Sequence, residues 1–87
     1  LTAPPWLLDR LADGLGGVAL FARNIESPAQ VAALTSAIHA ANPSALVAID
    51  EEGGDVTRLE HSTGSSWPGN LALGAVDDVD LTRAVAA

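Results

Sequence analysis

Three consecutive carboxylates, Asp50, Glu51 and Glu52, follow an apolar run at 45–49 and precede the pair Gly53-Gly54, with Arg58 shortly beyond. Neighbouring like charges repel, and a carboxylate taken out of water without a partner costs free energy. The cluster therefore has two readings, a solvated loop or the polar mouth of a buried strand. In the second, Asp50 is held rigidly where the strand leaves the core and accepts hydrogen bonds from a ligand. A tight Gly-Gly turn could return Arg58 to the same cavity as a donor. The alternative for Asp50 is a loop acid capping backbone N–H groups, and for Arg58 a solvated strand residue. Three hard oxygen ligands at 50–52 also raise a Mg²⁺ or Ca²⁺ site. Consecutive side chains on an extended backbone diverge, however, and no calcium-loop spacing is present. The turn makes a poor phosphate loop, because no lysine follows it and the local charge is negative.

The elements that must position these residues are readable from periodicity. Residues 5–13 predict a short helix, with Pro5 in its first turn and Leu7, Leu8 and Leu11 on one face. The run "GVALFA" at 17–22 predicts a strand buried on both faces and ending at Arg23 and Asn24. Ser27, Pro28 and Gln30 form an S-x-x-Q helix start. Val31, Leu34 and Ile38 then share a face, and Asn42-Pro43 stops the helix. "ALVAI" at 45–49 is a second buried strand, so the order is βαβ with parallel strands. Residues 53–70 predict a long irregular connection with one short strand, "DVTRLE". A last helix begins at Asp77, with Leu81, Ala84 and Val85 inward. In parallel α/β folds ligands bind beyond the carboxyl ends of the strands, where "ARN" and "DEEGG" both stand.

Bulk properties restrict the partners. The chain has 87 residues, enough for one modest core, and 48% are apolar, which excludes a disordered chain. Four basic against eleven acidic residues give a net charge of -7, which argues against nucleic acid and against an anionic membrane surface. There is no cysteine, hence no disulfide frame or thiolate metal site, and no apolar run long enough for a membrane span. The compartment stays open. A start at Leu1 without Met and a stop at Ala87 within a helical pattern are expected of a piece of a longer protein. Arg23 is expected to pair with Glu51 or Glu52, His39 to be solvated, and Trp67-Pro68 to anchor the long loop. His61 has no assigned role.

"GVALFARNIESPAQVAALTSAIHAA", "LVAIDEEGGDVTRLE" and "WPGNLALGA" together resemble the amino-terminal part of family 3 glycoside hydrolases, especially the bacterial β-N-acetylhexosaminidases. The resemblance runs from Gly17 to Ala87 and centres on the D-[EQ]-E-G-G-x-V-x-R run. It implies an α/β fold that is part of a (β/α)8 TIM-type barrel. A whole barrel needs about 250 residues, so this chain would supply its first βαβ units. It further implies a retaining exo-hydrolase that acts without a cofactor on terminal β-linked N-acetylglucosamine through a covalent intermediate on an aspartate. The nucleophile and a loop histidine acting as acid/base fall in segments these residues do not contain, so no catalytic residue is assigned and the fragment alone is expected to be inactive. What carries over is substrate binding by Asp50 and Arg58. The partner is thus a carbohydrate. Glu51 stands where many relatives have Gln, and Asp55 where many have Arg. Two other readings remain: a non-catalytic sugar-binding relative, and the carboxylate metal site at 50–52.

Overall fold

The computed structural model describes all residues, 1–87. They form two compact units, Leu1–Asp50 and Glu51–Ala87. The first unit is α/β: α1 (Pro5–Ala12), β1 (Gly17–Leu20), α2 (Pro28–Ala41) and β2 (Leu46–Ile49), with a 3₁₀ turn at Ala22–Asn24 between β1 and α2. The strands pair in parallel, Gly17 opposite Leu46 through Leu20 opposite Ile49. Parallel pairing follows from the connection, because the chain must recross the sheet through α2 before β2 can start. Gly17 is required at the first pair: a Cβ there would lie 2.5 Å from the Leu46 carbonyl oxygen, inside contact distance of the neighbouring backbone.

The helix start at Ser27 is partly as expected. The Ser27 hydroxyl accepts the Gln30 N–H at 3.1 Å, which satisfies one of the free donors of the first turn. The Gln30 side chain does not return to Ser27. Its oxygen accepts the Glu26 N–H at 3.0 Å and its amide donates to the Leu1 and Asn24 carbonyls, which ties three chain segments together. At the other end Asn42 donates to the Leu15 carbonyl and accepts the Ser44 N–H, so the stop signal also sets the entry to β2. His39 is not merely solvated, for its Nε2 lies 3.1 Å from the Ala45 carbonyl oxygen, beside the start of that strand.

Leu11, Leu20, Leu34, Ile38 and Ala45 form the core, with Leu7, Leu8, Val18, Val31, Val47 and Ile49 packed around it. Burying a Leu or Ile side chain of this kind contributes about 1.5–3 kcal/mol, so this cluster holds α1, α2 and the sheet together. The core uses one face of the sheet only. Val18, Leu20, Val47 and Ile49 face the helices, whereas Ala19, Ala48 and Leu46, the last 77% exposed, lie on the open face. Strands buried on both faces are an expectation for a whole barrel; within residues 1–87 the helices cover one face and the other is open.

The second unit carries α3 (Asn70–Val76) and α4 (Val79–Ala86). No strand forms at 55–60. The backbone turns at 52–56, where Gly53 and Val56 make an isolated antiparallel bridge. The Arg58, Leu59 and Glu60 amides that a strand would need are taken by the Glu51 and Thr57 side chains. The irregular stretch ends at Gly69, and α3 takes in Asn70 together with residues 71–76, for which no element was expected. Asp77 caps the end of α3 with φ of 54°, and Asp78 starts α4 by accepting the Leu81 N–H at 2.9 Å. Of the three residues expected to face inward, Val85 is half-buried while Leu81 and Ala84 are exposed.

Candidate functional site

Leu20 and Ile49 are the last paired residues of the sheet, so Phe21 and Asp50 are the next on each chain. Alternation along a strand puts both on the open face, in line with Ala19 and Ala48. Asp50 is exposed at that end, directly after the half-buried Ile49. Phe21 is extended, with φ of -121° and ψ of 171°, before the chain turns. Asn24 holds it from both sides: its Oδ1 accepts the Phe21 N–H at 2.9 Å, and its own N–H donates to the Phe21 carbonyl at 2.8 Å. The Arg23 guanidinium lies over the Phe21 ring, 5.1 Å from its centre, a cation–π contact where an ion pair with Glu51 or Glu52 was expected.

In the second unit the Gly53-Gly54 turn is tight because two other strands of backbone touch it. Gly54 donates to the Trp67 carbonyl at 2.8 Å, and Glu52 donates to the Val56 carbonyl at 3.0 Å. The loop is thus anchored through the Trp67 backbone, while the indole stays 61% exposed. The Glu51 carboxylate organises the segment at 57–60. Its Oε2 accepts the N–H groups of Arg58 at 2.7 Å and Leu59 at 3.3 Å, and Thr57 adds a side-chain hydrogen bond. Thr57 is buried and its hydroxyl also accepts the Glu60 N–H at 3.1 Å. Glu60 in turn closes the next loop, taking the Ser66 N–H at 2.7 Å and the Ser66 hydroxyl at 2.6 Å. Arg58 is half-buried within this frame.

Two sequence-predicted residues thus have defined supports, Asp50 at the end of β2 in the first unit and Arg58 in the second. Each interacts with its surroundings. A concavity of about 370 Å³ in the second unit has Glu51, Glu52, Trp67 and Asn70 among its walls. The larger one, about 550 Å³, is an apolar groove of the first unit beside β1 and α2, and its walls do not include Asp50. Size alone would have pointed away from the polar rim. No group of three or more His, Cys, Asp or Glu side chains is placed to hold a metal ion, and Glu51 is turned onto backbone amides, which counts against the carboxylate metal site. Phe21, Thr57 and the structural part of Glu51 were not singled out from sequence. For Phe21 a signal existed, the alternation of the strand pattern through residue 21.

A sequence profile of the glycosyl hydrolase family 3 N-terminal domain matches residues 8–87. The chain belongs to glycosyl hydrolase family 3. It is 51% identical over 72 residues to a beta-hexosaminidase of Alkalilimnicola ehrlichii, covering 80% of this chain and 20% of that protein. It is 48% identical over 65 residues to a beta-hexosaminidase of Nitrosomonas eutropha, covering 74% and 18%. With beta-hexosaminidase A of Pseudoalteromonas piscicida it shares 36% over 81 residues, covering 85% and 14%. The chain therefore spans about a fifth or less of the length of these relatives.

In this family 3 chain Glu51 acts on the 57–60 segment through its side-chain oxygen. A single oxygen accepts both amides, and a Gln carbonyl offers the same oxygen without charge. Burial pushes the Glu51 carboxyl up, but the Thr57 hydroxyl, the Arg58 and Leu59 amides and the Arg58 charge outweigh it and hold it below 4.5. Hydrogen bonds from the Ser66 hydroxyl and amide likewise lower Glu60. A carboxyl lowered on folding binds fewer protons than it does in the unfolded chain, so its contribution is fully present above about pH 4.5 and lost as pH falls through the lowered value. Amide exchange of Arg58, Leu59 and Ser66 in the full-length protein should stay protected at neutral pH and open below that point. Glu51→Gln should remove the pH dependence at Arg58 and Leu59 while keeping their protection. The same pH response of exchange at Arg58 and Leu59 in the parent and in Glu51→Gln would show that the Glu51 carboxylate does not hold the segment.

Proposed function

We propose that the whole protein is a retaining exo-acting glycoside hydrolase that releases terminal β-linked N-acetylglucosamine. In this reading residues 1–87 are the amino-terminal part of a (β/α)8 barrel domain and contribute one wall of its sugar pocket. Residues beyond this chain supply the nucleophile and the acid/base, so the isolated 87 residues are inactive. The observation that carries the reading is the position of Asp50, at the carboxyl end of a parallel strand and on the open face of the sheet, in a family 3 chain whose relatives are named beta-hexosaminidases. In an α/β barrel that face turns inward and that end is where substrates bind.

In the proposed mechanism Asp50 accepts hydrogen bonds from hydroxyls of the terminal sugar, and Arg58 is a second binding residue that donates to the substrate through its guanidinium. Together they orient the ring so that the nucleophile reaches the anomeric carbon in line with the departing oxygen. The acid/base protonates that oxygen, and water later cleaves the covalent intermediate. The reading needs no cofactor, and its ligand is a neutral sugar, in keeping with a chain of net charge -7.

The test is hydrolysis of an aryl N-acetyl-β-glucosaminide by the full-length protein and its Arg58→Ala variant. The parent should turn the substrate over with retention of configuration. Arg58→Ala should raise KM by about tenfold or more, as expected for loss of a charge-assisted hydrogen bond, and lower Tm by only a few degrees. A large loss of Tm with unchanged kinetic constants would make Arg58 an internal support of its segment. Binding of N-acetylglucosamine without turnover by the parent would mark a non-catalytic sugar-binding relative.

A further inference from the structure

We infer that Phe21 is a substrate-binding residue beside Asp50, a rigid aromatic platform for the apolar face of the sugar ring. The inference rests on the pocket reading of Asp50 and adds a residue to it. Phe21 is the one phenylalanine of the chain and stays 43% exposed, although the core of the same unit lies on the other face of its strand. The register runs to Leu20 opposite Ile49, so one further step along each strand brings Phe21 next to Asp50 on the open face.

The ring is prepared for contact rather than left loose. Asn24 binds both backbone polar groups of Phe21, which fixes the direction of its side chain. The Arg23 guanidinium lies over the ring, 5.1 Å from its centre, and 43% of the residue remains exposed. Such an arrangement loses little side-chain freedom on binding, which is what a preorganised contact requires. A pyranose in the β configuration has a face of axial C–H bonds and a rim of hydroxyls. A flat aromatic surface with a hydroxyl-accepting carboxylate at its side complements both at once. The Phe21–Asp50 pair therefore fits a neutral pyranoside and disfavours anions, which the carboxylate repels.

The experiment is steady-state kinetics of the full-length protein on aryl β-glycosides of N-acetylglucosamine, glucose and xylose, with free N-acetylglucosamine as competing ligand and a melting curve on each sample. Phe21→Leu keeps an apolar side chain on the sheet and removes the flat ring. It should raise KM and the inhibition constant of the free sugar about tenfold, in the range of an aromatic contact, with kcat within about twofold and Tm within a few degrees. Phe21→Tyr should restore both constants to within about threefold of the parent. Constants within twofold of the parent in Phe21→Leu would overturn the inference, as would a loss of Tm accompanied by constants that Tyr does not restore. If the parent prefers the glucoside or xyloside, the N-acetylglucosamine reading fails, while Phe21→Leu still decides the platform on the preferred substrate. If the parent hydrolyses none of the three and binds none of the sugars, both fall together.

Discussion

Replacing Asp50 by Asn in the full-length protein should lower kcat/KM on an aryl N-acetylglucosaminide by about a hundredfold or more and move Tm by no more than a few degrees. An ionised carboxylate at a strand end can accept from two sugar hydroxyls, and hydrogen bonds to a charged group are worth roughly 1.5–3 kcal/mol each. Asn keeps the shape but loses the charge and one of the two acceptor oxygens. The sugar is still enclosed, yet its ring is held less firmly, and misorientation at the reacting carbon is costly because the nucleophile and the acid/base have fixed positions. A hundredfold corresponds to about 2.7 kcal/mol of transition-state stabilisation, the scale of one such bond with its charge. Stability should change little, since Asp50 is exposed and β2 is held from its other face by the core of the first unit. Kinetic constants within a few-fold of the parent would show Asp50 to be a loop acid, the less specific of its two readings.

Gly53→Ala should destabilise the second unit by about 2–4 kcal/mol, a large effect for a change that adds a single methyl group. Gly53 has φ of 75°, in the left-handed region, which alone costs a side-chain-bearing residue about 1–2 kcal/mol. The new Cβ would also stand 2.8 Å from the Pro68 carbonyl oxygen and 3.2 Å from that of Trp67, both backbone atoms that cannot swing away. Relief requires the 67–69 segment to move off the turn, which would break the bond from Gly54 to Trp67. Gly64→Ala separates the two causes. Gly64 has φ of 84° with nothing within 4 Å of the added Cβ, so it should show the conformational cost without the clash. Equal losses of Tm in the two variants would mean that the 67–69 segment does not press on the turn. A loss at Gly53 several degrees larger supports the contact.

What the sequence determined by itself was mostly local, where the signal and the structure-forming interaction lie within a few residues of each other. The Ser27-Pro28-Gln30 start, the Asn42-Pro43 stop, α1 and the βαβ order are of this kind. The family was legible from three runs together, those beginning "GVALFARN", "LVAIDEEGGDVTRLE" and "WPGNLALGA", and the family 3 match over residues 8–87 agrees with it. Tertiary structure decided the remainder. An apolar run such as 45–49 does not say whether one face or two will be covered, because that depends on a layer elsewhere. Within residues 1–87 the helices cover the face of Val47 and Ile49, and Leu46 lies on the opposite face. "DVTRLE" has the composition of a strand, yet Glu51 and Thr57 take the amides of Arg58, Leu59 and Glu60, and a side chain that supplies those hydrogen bonds removes the reason for a partner strand. α3 has seven residues and an internal glycine, too short for a periodicity to stand out, and it exists through its Gly69 start and the left-handed Asp77 at its end. The place of Phe21 was decided in the same way. A ring at the end of an apolar run reads as core until the register of β1 on β2 turns it to the open face, beside Asp50.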